Sequence, residues 1–142
     1  MTRGAEVEAL QEVLAAEHAV VYGYGVAGAR MTGAPRRRAQ QAYDGHRASR
    51  DELAELVTGL GGEPGPTAAT YSLPMPVESA RDARTLAVLL EERLAAVWAD
   101  AVAGLGGDLR ALAVRGLGEA AVAAAQWRGD SVAFPGLPER AR

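Results

Sequence analysis

Two histidines and eighteen carboxylates are the groups from which this chain could assemble metal chemistry, because its 142 residues include no cysteine. The combination that invites a test is Glu17, His46, Glu91 and Glu119. A carboxylate-bridged dimetal centre in a helical bundle takes one Glu from each of two helices and a Glu-x-x-His pair from each of the other two. Positions three apart share a helix face, and their oxygen and nitrogen ligands suit iron or manganese. Glu17 and His46 fit this template. Glu91 can turn inward with Ala87, Leu94 and Trp98, and Glu119 can follow Leu112 and Gly116. Against them, Tyr43 stands three residues before His46 where a Glu is needed, and Val122 stands three after Glu119 where a His is needed. Four of six ligands are present at best, and spacing alone does not decide which of Glu91, Glu92 and Glu119 face inward.

The competing reading of the same residues is a polar core network. A carboxylate buried in a bundle is costly unless it is paired. Arg93, on the Leu90 to Val97 stripe, is the expected partner of Glu17, and His46 can donate to Glu17 or to the hydroxyl of Tyr43 or Ser49. His18 follows Glu17 directly and so points about 100° away from it, as a half-buried interface histidine. The incomplete ligand set favours the network. No cofactor is expected on that reading, and iron or manganese is the alternative.

Other patterns reduce to structure. Gly23, Gly25 and Gly28 spell G-x-G-x-x-G, but a dinucleotide fingerprint follows a strand, and the residues upstream are strong helix formers. Glycine inside a helix costs about 1 kcal/mol relative to alanine. These three therefore imply close helix approach, room for Trp98 or Trp127, or a space that admits an apolar ligand. Arg36, Arg37 and Arg38 form the one basic run, at a helix start where they oppose the macrodipole, and are read as solvated. Neither histidine sits near a strained nucleophile turn, so no Ser-His-Asp site is expected.

The elements that must position these residues are helices. Ala, Leu, Glu, Arg and Gln dominate four segments, at about 5–31, 36–59, 79–104 and 108–128, separated by Gly and Pro. Apolar residues alternate in steps of three and four in each, as at Leu10, Leu14, Val21, Tyr24, Gly28 and Met31. Gly33 can close the first helix and Pro35 open the second, while Ser79 and Asp82 resemble a capping box for the third. The first and second helices, and the third and fourth, are joined by a few residues, which predicts two antiparallel hairpins. Residues 61–77 carry four prolines and no helical pattern. A third helix parallel to the second requires a link that climbs the bundle, about 38 Å at about 1.5 Å per residue. Seventeen residues of extended chain reach about 53 Å. Tyr71, Leu73, Met75 and Val77 can then lie along the outside of two helices. The fold class is all-α, a ferritin-like four-helix bundle in one domain spanning 1–142, with a tail from 129 in which Phe134 and Leu137 can pack.

The segments AAEHAVVYGYG (15–25), HRASRDEL (46–53), YSLPMPV (71–77), LEERLAAVWADAV (90–102), AAQWRG (124–129) and AFPGLPE (133–139) resemble an alanine-rich, ferritin-like family from high-GC bacteria described as a domain of unknown function. The resemblance spans about Ala5 to Glu139 and implies the bundle without supplying an activity. The composition agrees, with 31 Ala and no Lys, Ile or Asn. Many of the alanines, including Ala39, Ala42, Ala120 and Ala123, fall on faces where small residues permit tight packing. A net charge of -3 argues against nucleic-acid binding. No apolar run reaches the roughly 18 residues of a membrane span, and no signal sequence is evident, so a cytoplasmic location is expected. The functional expectation is a non-catalytic bundle that acts by self-association, as a dimer, or by partner binding. The alternative is a metal-binding oxidoreductase or metal-handling protein.

Overall fold

The computed structural model describes residues 2–129. Four helices account for most of them: α1 (Arg3–Ala29), α2 (Gly33–Gly59), α3 (Ala80–Gly104) and α4 (Gly107–Arg128). Phe134 and Leu137 lie outside the described residues. Capping chemistry sets several of the ends. Thr2 accepts from the Ala5 amide at the start of α1, and Ser79 accepts from the Asp82 amide at the start of α3. The Asp82 carboxylate in turn accepts from the Glu78 amide at 3.1 Å. Gly129 ends α4 in the left-handed conformation that glycine adopts without steric cost. One boundary differs from expectation: Gly33, at φ +61°, is the first residue of α2 rather than the stop of α1, which ends a turn earlier at Ala29.

Close contacts give the directions of the helices. Gly28 faces Ala39 and Gly25 faces Tyr43, so α1 and α2 are antiparallel. Gly23 faces Leu90 and Gly104 faces Ala9, so α3 is antiparallel to α1 and parallel to α2. Gly116 faces Trp98, while Arg84 Nε donates to the Trp127 carbonyl at 2.6 Å, so α4 returns along α3. Two antiparallel hairpins therefore sit on a long crossover. That segment climbs the outside of α1. Gln11 Nε2 donates to the Glu63 carbonyl at 2.6 Å, the Gly65 amide donates to Gln11 Oε1 at 2.9 Å, and Tyr71 packs on Tyr22 with ring centroids 5.8 Å apart. Tyr71, Leu73, Met75 and Val77 are half-buried between exposed neighbours, the alternation of an extended chain lying on a surface.

The core is built from Leu10, Val13, Leu14, Leu86, Leu94 and Trp98 among others, with Tyr24 as its largest fully buried side chain. Glycines create room in it. A methyl group at Gly116 would come within 2.3 Å of the Trp98 ring, and one at Gly23 would come within 2.5 Å of Leu90. The hollow in α1 thus receives a leucine, and the tryptophan expected there lies over Gly116 on α4. Among the described residues, α1 packs on α2 and α3, and α3 packs on α4, but the backbones of α2 and α4 nowhere approach within 8 Å. Among the described residues, the fourth seam of the bundle is open. No helix among the described residues is long and apolar enough to cross a membrane.

Candidate functional site

The open seam leads to the inward-facing carboxylates. Glu17 of α1 and Glu91 of α3 are each 1% exposed, and among the described residues they are the two buried charged side chains. Between them stands His46 of α2. Its Nδ1 is 2.8 Å from Glu17 Oε2 and its Nε2 is 2.7 Å from Glu91 Oε1. Ser49, one turn further along α2, donates to the other Glu17 oxygen at 3.1 Å. Both Glu17 oxygens are thus satisfied. Glu91 Oε1 has an ion-pair contact with the ring but no aligned hydrogen bond. The spacing explains the convergence: His46 and Ser49, three apart, share one face of α2, and Glu17 and Tyr24, seven apart, share one face of α1. The Tyr24 ring stacks on the imidazole at 5.5 Å between centroids, and its hydroxyl accepts from Trp127 Nε1 at 3.0 Å.

The electrostatics follow from this geometry. Burial favours the neutral imidazole, but the hydrogen bond that the ring donates to Glu17, its close contact with Glu91 and the charges of both carboxylates outweigh it, and the His46 pKa is pushed up from 6.5 to about 10. At neutral pH the ring is an imidazolium held between two carboxylates. Burial, reinforced by the Glu91 charge, pushes the Tyr24 hydroxyl well above its ordinary value, so it stays protonated.

All four candidate ligands, Glu17, His46, Glu91 and Glu119, border one cleft of about 480 Å³ between α2 and α4. They are not equivalent. Glu119 is exposed on its rim, opposite Glu52 and beside Arg115, whereas the other three form its floor. Glu92 points away from the core and pairs with Arg128. The expected partnership of Arg93 with Glu17 does not occur, because Arg93 is exposed on the outer side of α3 and the Glu17 oxygens are taken by His46 and Ser49. Tyr43 turns toward Gly25 on the α1 side, away from the carboxylates, and Val122 is 56% exposed on the outer face of α4. The two substituted template positions therefore contribute nothing to the floor. Among the described residues, no group of three or more His, Asp or Glu side chains is arranged to hold an ion. With both ring nitrogens turned to carboxylates, His46 offers no lone pair to a metal, and the residues do not fit a dimetal centre.

Spacing singled out Glu17, His46, Glu91 and Glu119 as candidates without deciding which of Glu91, Glu92 and Glu119 face inward, and it missed the open seam. Its signal was the small residues spaced by threes and fours on two helices, Ala42, Gly45 and Ala48 on α2 and Gly116, Ala120 and Ala123 on α4. Of the alanines expected to permit tight packing, Ala39 does so against Gly28, whereas Ala42 and Ala123 border the gap. His18 is half-buried beneath the crossover, its Nε2 3.4 Å from the Gly65 carbonyl. Arg36 and Arg37 are exposed, while Arg38 reaches across the seam to lie 4.4 Å above the Trp127 ring and 3.4 Å from Gln126 Oε1. A shallow hollow of about 240 Å³ does flank Gly25 and Gly28, with Tyr24, Tyr43, Gln40 and Arg36 around it.

Two antiparallel helix pairs, one long crossover and carboxylates converging with a histidine on the inner face define a ferritin-like bundle. The chain belongs to the family described as a domain of unknown function, DUF4439, which matches residues 9–139. Among solved structures it is similar to a conserved hypothetical protein, rv2844, from Mycobacterium tuberculosis, with 35% identity and a TM-score of 0.86 over 91% of this chain and 98% of that one. It is also similar in fold to a ferritin-like, diiron-carboxylate protein from Bacillus anthracis str. Ames, at 16% identity and a TM-score of 0.77, again over 91% of this chain and 98% of that one. Comparison with curated proteins gives no match.

Proposed function

We propose that this ferritin-like protein is a non-catalytic bundle that works by association, and that a histidine serves in its core where ferritin-like relatives of the diiron kind hold metal. The observation that carries this reading is the placement of His46, whose two nitrogens lie 2.8 and 2.7 Å from carboxylates on two different helices. A fixed cation there neutralises the two buried acids, ties α2 to α1 and α3, and leaves the nitrogens no role as ligands. Self-association as a homodimer is supported by the outer face of α4. Val114 and Val122 are 54% and 56% exposed, and Ala111, Gly118, Ala121 and Ala125 share their arc with no charged residue between them.

Two measurements test the reading. Metal analysis of protein purified without chelators is expected to find substoichiometric iron and manganese. Stoichiometric metal that disappears on His46→Ala would instead establish the alternative metal-handling role for Glu17, His46, Glu91 and Glu119. Sedimentation is expected to show a dimer that Val114→Asp or Val122→Asp converts to monomer; a monomeric wild type at high concentration would refute self-association.

A further inference from the structure

Beneath the crossover, between α1 and α2, lies a pocket of about 340 Å³, within the roughly 300–1,000 Å³ of small-molecule sites. Its plan follows from the antiparallel register of the two helices. Gly25 lies against the Tyr43 ring. Two helical turns back along α1 and two turns on along α2, about 10 Å away, His18 and Arg50 border the same pocket. The crossover completes both ends, with the Gly65 carbonyl 3.4 Å from His18 Nε2 and the Tyr71 ring packed on Tyr22. One end is therefore polar, and the other is walled by the rings of Tyr22, Tyr43 and Tyr71. Three separate observations point to an occupant. Gly25 weakens its helix, yet packing does not require it: a methyl group there would meet only the edge of Tyr43, at an ordinary 3.8 Å, whereas one at Gly23 would come within 2.5 Å of Leu90. What the missing side chain does preserve is the pocket that Gly25 borders. Next, no carboxylate lines the pocket, and the acid that the Arg50 guanidinium contacts is the adjacent Asp51, 67% exposed, at 3.0 Å. An exposed pair of this kind is weak, and a guanidinium carries five N–H donors, so Arg50 can take a second carboxylate. Last, His18 at the same end has a buried Nδ1 with no hydrogen-bond partner. A cation and an unmet imidazole hydrogen bond at one end, aromatic faces at the other and no acid in the lining favour an anion with an aromatic body.

We propose that the pocket beneath the crossover binds a small aromatic carboxylate, its carboxylate on Arg50 beside His18 and its ring among Tyr22, Tyr43 and Tyr71. A planar carboxylate accepts two parallel N–H bonds from a guanidinium, and an aromatic ring settles offset or edge-to-face on tyrosines. The sign of the charge excludes amines, and the ring faces favour an aryl over an aliphatic acid. Neither the α4 outer face nor His46 borders this pocket, so its failure and that of the proposed function are read in separate experiments.

The test is titration of the full-length chain at pH 7 with benzoate and 2-naphthoate, followed by calorimetry and by saturation-transfer NMR, with benzylamine and cyclohexanecarboxylate as comparison ligands. Saturable binding of an aromatic carboxylate is expected, with benzylamine giving none and cyclohexanecarboxylate binding several-fold more weakly. Arg50→Gln should weaken binding at least about tenfold by removing the charge that holds the carboxylate. Gly25→Leu fills the pocket from an exposed position on α1 without entering the core, so it should abolish binding while leaving the far-ultraviolet dichroism unchanged. No saturable binding of either aromatic carboxylate at millimolar concentration would overturn the assignment. So would equal binding of benzylamine or cyclohexanecarboxylate, or an affinity untouched by Arg50→Gln or by Gly25→Leu.

Discussion

Replacing His46 with alanine removes the one cation that contacts Glu17 and Glu91 among the described residues and leaves both buried without that counter-charge. Breaking a buried ion pair by deleting one partner costs about 3–5 kcal/mol. The pKa gives a compatible ceiling. A rise from 6.5 to about 10 corresponds to about 5 kcal/mol of preference for the charged ring in the folded state, at about 1.4 kcal/mol per tenfold change in proton affinity. The sign follows from the direction of that rise. Because the folded pKa lies above the unfolded one, the contribution is complete below about pH 6.5 and is lost as pH climbs toward 10. The groups around the ring are Glu17 and Tyr24 from α1, Ser49 and Glu52 from α2, Glu91 from α3, and Arg115 and Glu119 across the cleft on α4. Because that contribution is already falling at pH 8, the deficit of the His46→Ala protein should be larger at pH 5 than at pH 8. Urea unfolding followed by dichroism and tryptophan fluorescence is expected to show a loss of about 3–5 kcal/mol at pH 5 and a smaller loss at pH 8. The thermal midpoint should fall by roughly 10 °C for a domain of this size. A loss below about 1 kcal/mol, identical at pH 5 and pH 8, would refute the ionic network and with it the assignment of His46 as a structural cation.

Four further substitutions probe particular contacts. Gly116→Ala should destabilise by about 1–3 kcal/mol, because the added methyl would lie 2.3 Å from the Trp98 ring. Gly45→Ala, where nothing lies within 4 Å, should stabilise by about 1 kcal/mol, and denaturant midpoints distinguish the two. Trp127→Phe leaves the buried Tyr24 hydroxyl without its 3.0 Å donor and should cost about 1–3 kcal/mol in the same assay. Gln11→Ala cuts both bonds that hold the start of the crossover, to the Glu63 carbonyl and from the Gly65 amide, so hydrogen exchange should quicken around 62–66 while α3 and α4 are unchanged.

The four helices and their connectivity were legible in the sequence because both depend on local chemistry. Helix-forming composition, apolar steps of three and four, the Ser79 cap and the proline-rich 61–77 segment each act over a few residues, and each gave the element that the structure contains. Glu17 was legible for the same reason, as a helical carboxylate that fits the bundle's ligand template, and so was the absence of a full Glu-x-x-His set at Tyr43 and Val122. Pairing across helices was not. Arg93 and His46 were both within reach of Glu17 by helical register, and only the rotation of α3 about its axis puts Arg93 outside and Glu91 inside. That rotation is fixed by the sum of many contacts, among them Leu90 in the Gly23 hollow and Trp98 over Gly116. The same alanines and glycines read equally well as tight packing or as empty space, since a small side chain permits close approach without enforcing it. The sequence by itself determined a four-helix chain with one crossover and a deficient ligand set. Only the tertiary structure decided that α2 and α4 stand apart and that an imidazolium lies between two buried carboxylates, because distances between helices are set by packing that no single segment encodes.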